Sequence, residues 1–384
     1  MRHSTDRILT THVGSLPRPH DLLDVLKQKL SGEGFDEQAF SDKLTDSVEG
    51  CVRNQAESGI DIVADGEMSK PGHAVYINER LEGFQPDPDV DLRHFAKEKE
   101  TFPEYYEEYF QRAMQGGAIA PSVPMSCQGP ISYSGHEALK VDLENLRAAA
   151  DKLGCEEAFM PCSAVTCVGV NKYYKSDEEY MFALADALAE EHKAIIDAGF
   201  LLQVDDPFMP LIYIDETLTD KEREAKASLC VEAINHSLKD IPEEKVRFHT
   251  CYGINQGPRI HEPDLPMIIH QVLKINACGY SFEAGNARHE HEYKLWDDVK
   301  LPEGKILIPG VVTHACTVVE HPEYVAERII RFAERVGREN VIAAPDCGFS
   351  SQAMYKTEVH PKIVWAKFRA MSEGAKLASE KLWN

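Results

Sequence analysis

Short β-branched runs recur along the chain, each followed by a longer stretch of helical periodicity. Arg7-Ile8-Leu9-Thr10-Thr11-His12-Val13 reads as a first strand, broken by Gly14-Ser15-Leu16-Pro17. Helical patterns cover residues 21–30 and 36–58, and Ile60-Asp61-Ile62-Val63-Ala64 then reads as a strand ending in Asp65-Gly66-Glu67. Further helices are predicted over 136–153, 176–198 (Ser176 as N-cap before Glu178 and Glu179), 219–238, 265–276, 321–336 and 358–379. Strands fall between them near residues 159, 201, 247, 280, 307 and 342. Eight strands alternating mostly with helices is the pattern of an α/β fold of the (β/α)8, or TIM barrel, type. An open doubly wound sheet fits less well, because no Gly-x-Gly-x-x-Gly follows the first strand.

Residues 71–130 interrupt the alternation. They hold Pro86-Asp87-Pro88-Asp89, an aromatic cluster from Phe102 to Phe110 and a Gly/Pro-punctuated stretch up to Pro130. They are expected to form an insertion after the second strand, a hairpin excursion over the barrel mouth, within a single catalytic barrel spanning 1–384. Tyr105, Tyr106, Tyr109 and Phe110 recur at helical spacing, which predicts packing rather than a ligand box.

Composition adds limits. A formal net charge of −23 argues against nucleic acid or an anionic membrane as a partner, since both require a basic face. The ten cysteines are scattered, the N-terminus lacks a signal-peptide core, and there is no apolar run of membrane-spanning length. These features predict a reducing, cytoplasmic setting.

Candidate chemistry appears at the strand ends, where barrels of this type carry their sites. Phe248-His249-Thr250-Cys251-Tyr252 follows a strand rising from Glu244-Lys245-Val246-Arg247, and residues two apart on a strand share a side. The other strand ends supply Ser15, Glu67, Asp205, Glu283 and Cys347. His249, Cys251, Glu283 and Cys347 together make a tetrahedral N, S, O, S set suited to Zn2+. Two thiolates and a carboxylate give an anionic shell better matched to a sulfur substrate than to activating water, with Glu283 the ligand expected to loosen. The run Arg288-His289-Glu290-His291-Glu292 reads as a solvated charged face rather than a second metal site.

These residues resemble the catalytic C-terminal barrel of the cobalamin-independent methionine synthases. Thr11-His12-Val13-Gly14-Ser15-Leu16-Pro17 is similar to that family's Ile-Gly-Ser-Phe-Pro, and Asp65-Gly66-Glu67 to its His-Gly-Glu. Asp205-Asp206-Pro207 resembles Asp-Glu-Pro, His249-Thr250-Cys251-Tyr252 resembles His-Met-Cys-Tyr, and Phe282-Glu283 and Pro345-Asp346-Cys347-Gly348 fall where the remaining zinc ligands belong. The resemblance implies zinc-dependent transfer of a methyl or alkyl group to a thiol. It implies that Ser15 holds the amino-acid carboxylate through its backbone, and that Glu67 and Asp205 hold the ammonium of homocysteine. It also implies that His321, in Val319-Glu320-His321-Pro322, matches the Asp-Ile-His-Ser loop and donates a proton to the leaving group.

Three departures qualify the match. The N-terminal barrel of the long enzymes is absent. Cys167 stands where the family has a tryptophan that stacks on folate, and the segment between Cys251 and Glu283 is longer, with Gly257-Pro258-Arg259 inside it. Without the aromatic platform a flat pterin donor is disfavoured. The leading expectation is homocysteine methylation from a donor other than polyglutamyl folate, such as a methylated corrinoid protein. Alternatives are opening of an epoxide by coenzyme M, with Arg18 or Arg259 on the sulfonate, as in the related epoxyalkane:coenzyme M transferases, and a non-catalytic zinc-binding barrel.

Overall fold

A computed structural model describes residues 1–384, apart from residue 74 and residues 91–94, 114–116, 121–122 and 254–255. Parts of the expected 71–130 insertion and of the long segment after Cys251 therefore lie outside the described residues.

Eleven strands are described: β1 (Leu9–Thr10), β2 (Ile62–Val63), β3 (Leu81–Pro86), β4 (Met125–Tyr133), β5 (Glu157–Ser163), β6 (Val170–Asn171), β7 (Leu201–Asp205), β8 (Val246–His249), β9 (Gly279–Phe282), β10 (Ile306–Val312) and β11 (Ile342–Pro345). Eight form one parallel sheet in the order β1-β11-β10-β9-β8-β7-β5-β2. The two ends approach one another, with the Asp61 amide donating to the Thr10 carbonyl at 3.1 Å and Thr11 Oγ1 donating to the Ile62 carbonyl at 3.1 Å. The result is the (β/α)8 barrel anticipated from the alternation.

Barrel strands are nearly continuous in apolar residues because both faces are covered. Leu9, Ile62, Ala64, Phe159, Leu201, Ile306, Ile308, Ile342 and Ala344 pack together as one cluster, with alternate residues of each strand contributing. The other face joins the helices in the larger core. Further along β7 and β8 the same alternation turns polar: Gln203 and Asp205 follow Leu201, and His249 follows Arg247. Arg247 is fully buried over the Phe159 ring at 4.1 Å and donates to Thr11 Oγ1 and the His12 carbonyl. In register, Ser163 lies opposite Asp205, Asp205 opposite His249, and His249 opposite Ser281. Chemistry-bearing residues are thus level with one another at the C-terminal rim.

The helix expected after Ser176 begins there, and a second helix has an equally clear cap. Ser176 accepts the Glu179 amide ahead of the helix Asp177–Asp197, and Thr219 with Glu222 forms a reciprocal capping box ahead of Asp220–Ser237. β3 and β4 pair antiparallel and β6 joins β4, making a separate three-stranded sheet. Between β3 and β4 lie the short helices Ala96–Thr101 and Pro103–Arg112. Their aromatic residues form a small core of Tyr106, Tyr109 and Ala113 flanked by Phe95, Phe102, Tyr105 and Phe110, so the aromatic spacing reflects packing. Among the described residues no helix is long and apolar enough to cross a membrane.

Candidate metal centre and adjoining cavity

His249 ends β8, Cys251 lies two residues on, and Cys347 follows β11. Their ligand atoms lie within 4.8 Å of one another, all buried. His249 Nδ1 is within 3.0 Å of Ser281 Oγ, while Nε2 is buried without a hydrogen-bond partner. Burial, with Arg247 and His73 nearby, pulls the imidazole down to about 3, so it is neutral and has a lone pair to offer. One orphaned buried nitrogen beside two thiols is a donor set that fits a borderline-soft cation, and the serine is the kind of outer partner that fixes a ligand ring.

Cys347 is carried into place by close backbone approaches. Asp346 Oδ1 accepts the amides of Ala284 (2.8 Å) and Gly285 (2.5 Å), and a Cβ on Gly310 would fall 1.9 Å from that same oxygen. The Phe349 amide donates to the Ser15 carbonyl at 2.9 Å.

Glu283 is not part of this group. Its carboxylate belongs with His314 and Asp346. Oε2 accepts from Arg259 Nη2 at 2.7 Å and from Asn286 Nδ2 at 2.8 Å, and Oε1 accepts the Tyr252 amide at 3.4 Å. Burial raises this carboxyl to about 7, with Arg259 opposing and Asp346 reinforcing the rise.

Beside the three ligands opens a cavity of about 230 Å3, lined among others by Ser15, Glu67, His73, Cys167, Asp205 and Phe208. Glu67, His73 and Asp205 have polar atoms within 4.8 Å of one another. Glu67 has φ 58°, a left-handed conformation costing on the order of 1 kcal/mol for a residue with a Cβ, and its amide is held by Asp65 Oδ1 at 2.9 Å. Its Oε1 is 3.8 Å from the ammonium of Lys70, and its Oε2 is buried without a partner. Burial and the neighbouring Glu67 push Asp205 well above the usual carboxylate range. This pair of crowded carboxylates lacks a cation on its cavity side: among the described lining residues there is no lysine or arginine.

The structure does not bring His321 into this cavity. It is exposed, and its Nδ1 accepts the Glu323 amide at 3.2 Å, capping the helix Pro322–Val336. Strand β10 ends at Val312, and it is His314, two residues on, that turns inward. His314 is 3% exposed, lies beside Glu283 and Asp346, and has Nδ1 without a partner. Nothing in the spacing of Val312 to His321 distinguishes the two histidines. The Arg288–Glu292 run also departs from expectation, because His289 and Glu292 are buried. His289 is flanked by Glu292 (2.9 Å) and Glu262 (3.0 Å) and stacks on the Tyr252 ring at 4.3 Å. Arg18 and Arg259 are both committed internally. Arg18 donates to the Ser350 and Glu67 carbonyls, and Arg259 is paired with Glu262 and Glu283.

The chain is similar to known proteins along most of its length. The family model described as the catalytic domain of cobalamin-independent synthase matches residues 127–372. A methionine synthase from Sulfolobus acidocaldarius is 24% identical over 379 residues, covering 97% of this chain and 93% of that protein. One from Sulfurisphaera tokodaii is likewise 24% identical, over 98% and 94% of the two chains. Among solved structures, a B12-independent methionine synthase from Shewanella in complex with selenomethionine has the same fold, with a TM-score of 0.71, 18% identity, and 98% and 99% of the two chains covered. A putative vitamin-B12-independent methionine synthase from Listeria monocytogenes gives 0.66 at 18% identity, again covering 98% and 99%. With well over half its length matched by the family model, the chain belongs to the cobalamin-independent methionine synthase family.

Proposed function

We propose that this barrel methylates the thiol of homocysteine to give methionine, with Zn2+ held by His249, Cys251 and Cys347 and with Glu283 beside them. A metal in that position would lower the pKa of a coordinated thiol and so supply a nucleophile at neutral pH. The chain's own groups do the rest. Glu67 and Asp205 receive the substrate ammonium, which relieves their mutual repulsion and occupies the free Glu67 oxygen. Ser15, joined to the Cys347 loop through Phe349, lies on the cavity wall where the carboxylate of the amino acid would be placed. Of the two histidines on this connection His314, buried next to Glu283 and Asp346, is a better candidate than the exposed His321 to exchange a proton in the interior.

The observation that carries this reading is the cavity wall, which has two carboxylates within reach of the ligand group and no lysine or arginine among its described residues. It favours an amino-acid thiol over coenzyme M, whose sulfonate needs a cation. The two arginines considered for that role are spent on internal partners. A second cavity of about 530 Å3 shares Phe95, Thr166, Gly169 and Phe208 with the first, and its wall includes Glu98, Glu100, Asp177, Asp215, Glu216 and Glu262. Among the described lining residues only Lys97, Lys226 and His261 oppose these acids, and Lys97 is paired with Glu216. Such a wall repels a polyglutamate tail, which supports a donor of another kind, with a methylated corrinoid protein the leading candidate.

The test is a thiol panel on the zinc-loaded protein, followed at the zinc edge by X-ray absorption. Homocysteine should add a sulfur neighbour to the metal, and coenzyme M should do so at least tenfold less well. Perturbation by coenzyme M alone would favour the epoxide-opening alternative. A zinc shell indifferent to every thiol would favour the non-catalytic barrel.

A further inference from the structure

Beside the sulfur-bearing group, the cavity wall carries a second set of ligand atoms. Glu67, His73 and Asp205 each place one such atom within 4.8 Å of the other two. Glu67 and Asp205 are buried, at 2% and 6% exposure, and Glu67 Oε2 has no hydrogen-bond partner. Its other oxygen lies 3.8 Å from Lys70 Nζ, which is itself spent on the Pro161 carbonyl at 2.6 Å and the Tyr76 ring at 4.2 Å. Asp205 is steadied by Gln203, whose Nε2 donates to Oδ1 at 2.7 Å. His73 is pinned by its backbone: the amide donates to the Ser351 carbonyl at 2.9 Å, and the carbonyl accepts from Ser163 Oγ at 3.0 Å. Three side chains from separate stretches of the sequence are therefore held close together.

Two carboxylates can receive an ammonium unaided, and the imidazole is the addition that changes the chemistry. Burial lowers the pKa of His73, so the ring is neutral and keeps a lone pair for a cation. Its Nε2 faces the Cys167 thiol at 3.7 Å, a weak partner that a metal would displace. Two oxygens and one nitrogen suit a divalent transition metal such as Zn2+ or Co2+, with positions left for water, and contrast with the sulfur-rich set next to them. We propose that Glu67, His73 and Asp205 form a second, weaker divalent-cation site that fills when no amino acid is bound, and that the cation and the substrate ammonium exclude one another there. Excess zinc then inhibits by closing the amino-acid end of the cavity, without disturbing the reacting metal. The exclusion rests on Glu67 and Asp205 being the ammonium holders, whereas the cation site itself does not.

Cobalt(II) added to the zinc-loaded protein tests this, because a carboxylate and imidazole shell gives weak visible bands and lacks the intense charge-transfer band of a cobalt thiolate. One equivalent should bind with those weak bands alone. His73→Gln should weaken it by more than the roughly tenfold that an outer-partner substitution costs, while the zinc content stays unchanged. Methionine should expel the cobalt, and the des-amino analogue of methionine, which has no ammonium, should leave it bound. The proposal is overturned if no such equivalent binds even at roughly millimolar cobalt, the scale of weak specific sites. It is overturned equally if His73→Gln and Asp205→Asn both bind cobalt as wild type does, which would place the ion on the acidic surface. If His73→Gln does not fold, Asp205→Asn decides alone. Cobalt that is lost in these variants but indifferent to methionine would keep the cation site, overturn the exclusion and count against the ammonium role. Methionine binding that falls in Asp205→Asn while wild type takes up no cobalt would do the reverse.

Discussion

Gly348 and Ser15 approach so closely that a Cβ on the glycine would lie 1.9 Å from Ser15 Oγ and 3.2 Å from Ser15 Cβ. The contact locks the loop bearing Cys347 against the loop after β1, so a metal ligand and a wall of the cavity move as one body. Gly348→Ala should displace one or the other. Overpacking of this kind costs about 1–3 kcal/mol, read as a lowered midpoint in chemical denaturation. Zinc affinity should fall alongside it, and an unchanged zinc content and midpoint would show that the loops are not coupled.

The ligand assignment predicts that Cys251→Ser and Cys347→Ser each lose metal affinity by on the order of a hundredfold or more, beyond the effect of outer partners. Zinc measured by inductively coupled plasma mass spectrometry after dialysis checks this. Full zinc occupancy in both variants would exclude them as ligands.

Glu67→Gln and Asp205→Asn should weaken homocysteine by roughly 10- to 100-fold, the loss of one charge-assisted contact of about 1.5–3 kcal/mol. A thiol without an ammonium, such as coenzyme M, should bind wild type and variants almost alike. Equal losses for both thiols would count against the ammonium-holding role.

Stability should fall on the alkaline side. Burial would strip His289 of its proton, but Glu262 and Glu292, with Glu283 further off, outweigh it and push the imidazole up to about 9. Because this value lies above the unfolded 6.5, the contribution is complete below that pH and is lost as pH rises through about 9. The difference is on the order of 3 kcal/mol. Denaturant titrations at pH 6, 8 and 10 should show the decline, and His289→Asn should flatten it. A slope unchanged in that variant would place the titrating group elsewhere.

The barrel was legible because its strands are β-branched runs covered on both faces, and because Ser176 caps its helix by a local rule that tertiary structure did not override. The convergence of His249, Cys251 and Cys347 followed from strand ends meeting at one rim. What could not be read was direction and pairing. His314 and His321 lie on one connection, and only the point where β10 ends decides that the first turns in and the second caps a helix. The Arg288–Glu292 run has the charge density of a solvated loop, yet Glu262, from a distant segment, neutralises His289 in the interior. The same segment supplies Arg259, whose grip on Glu283 no spacing rule foretells.

Asp205 and His249 are paired across adjacent strands, so their separation is set by the backbone, at the roughly 4.8 Å that divides neighbouring strands. On the proposed reading, in which Asp205 faces the substrate ammonium and His249 the metal, the barrel wall itself fixes how far apart those two partners sit, with no flexible loop between them. Cysteine, one methylene shorter than homocysteine, should then bind more weakly, and equal affinity for the two would count against that reading.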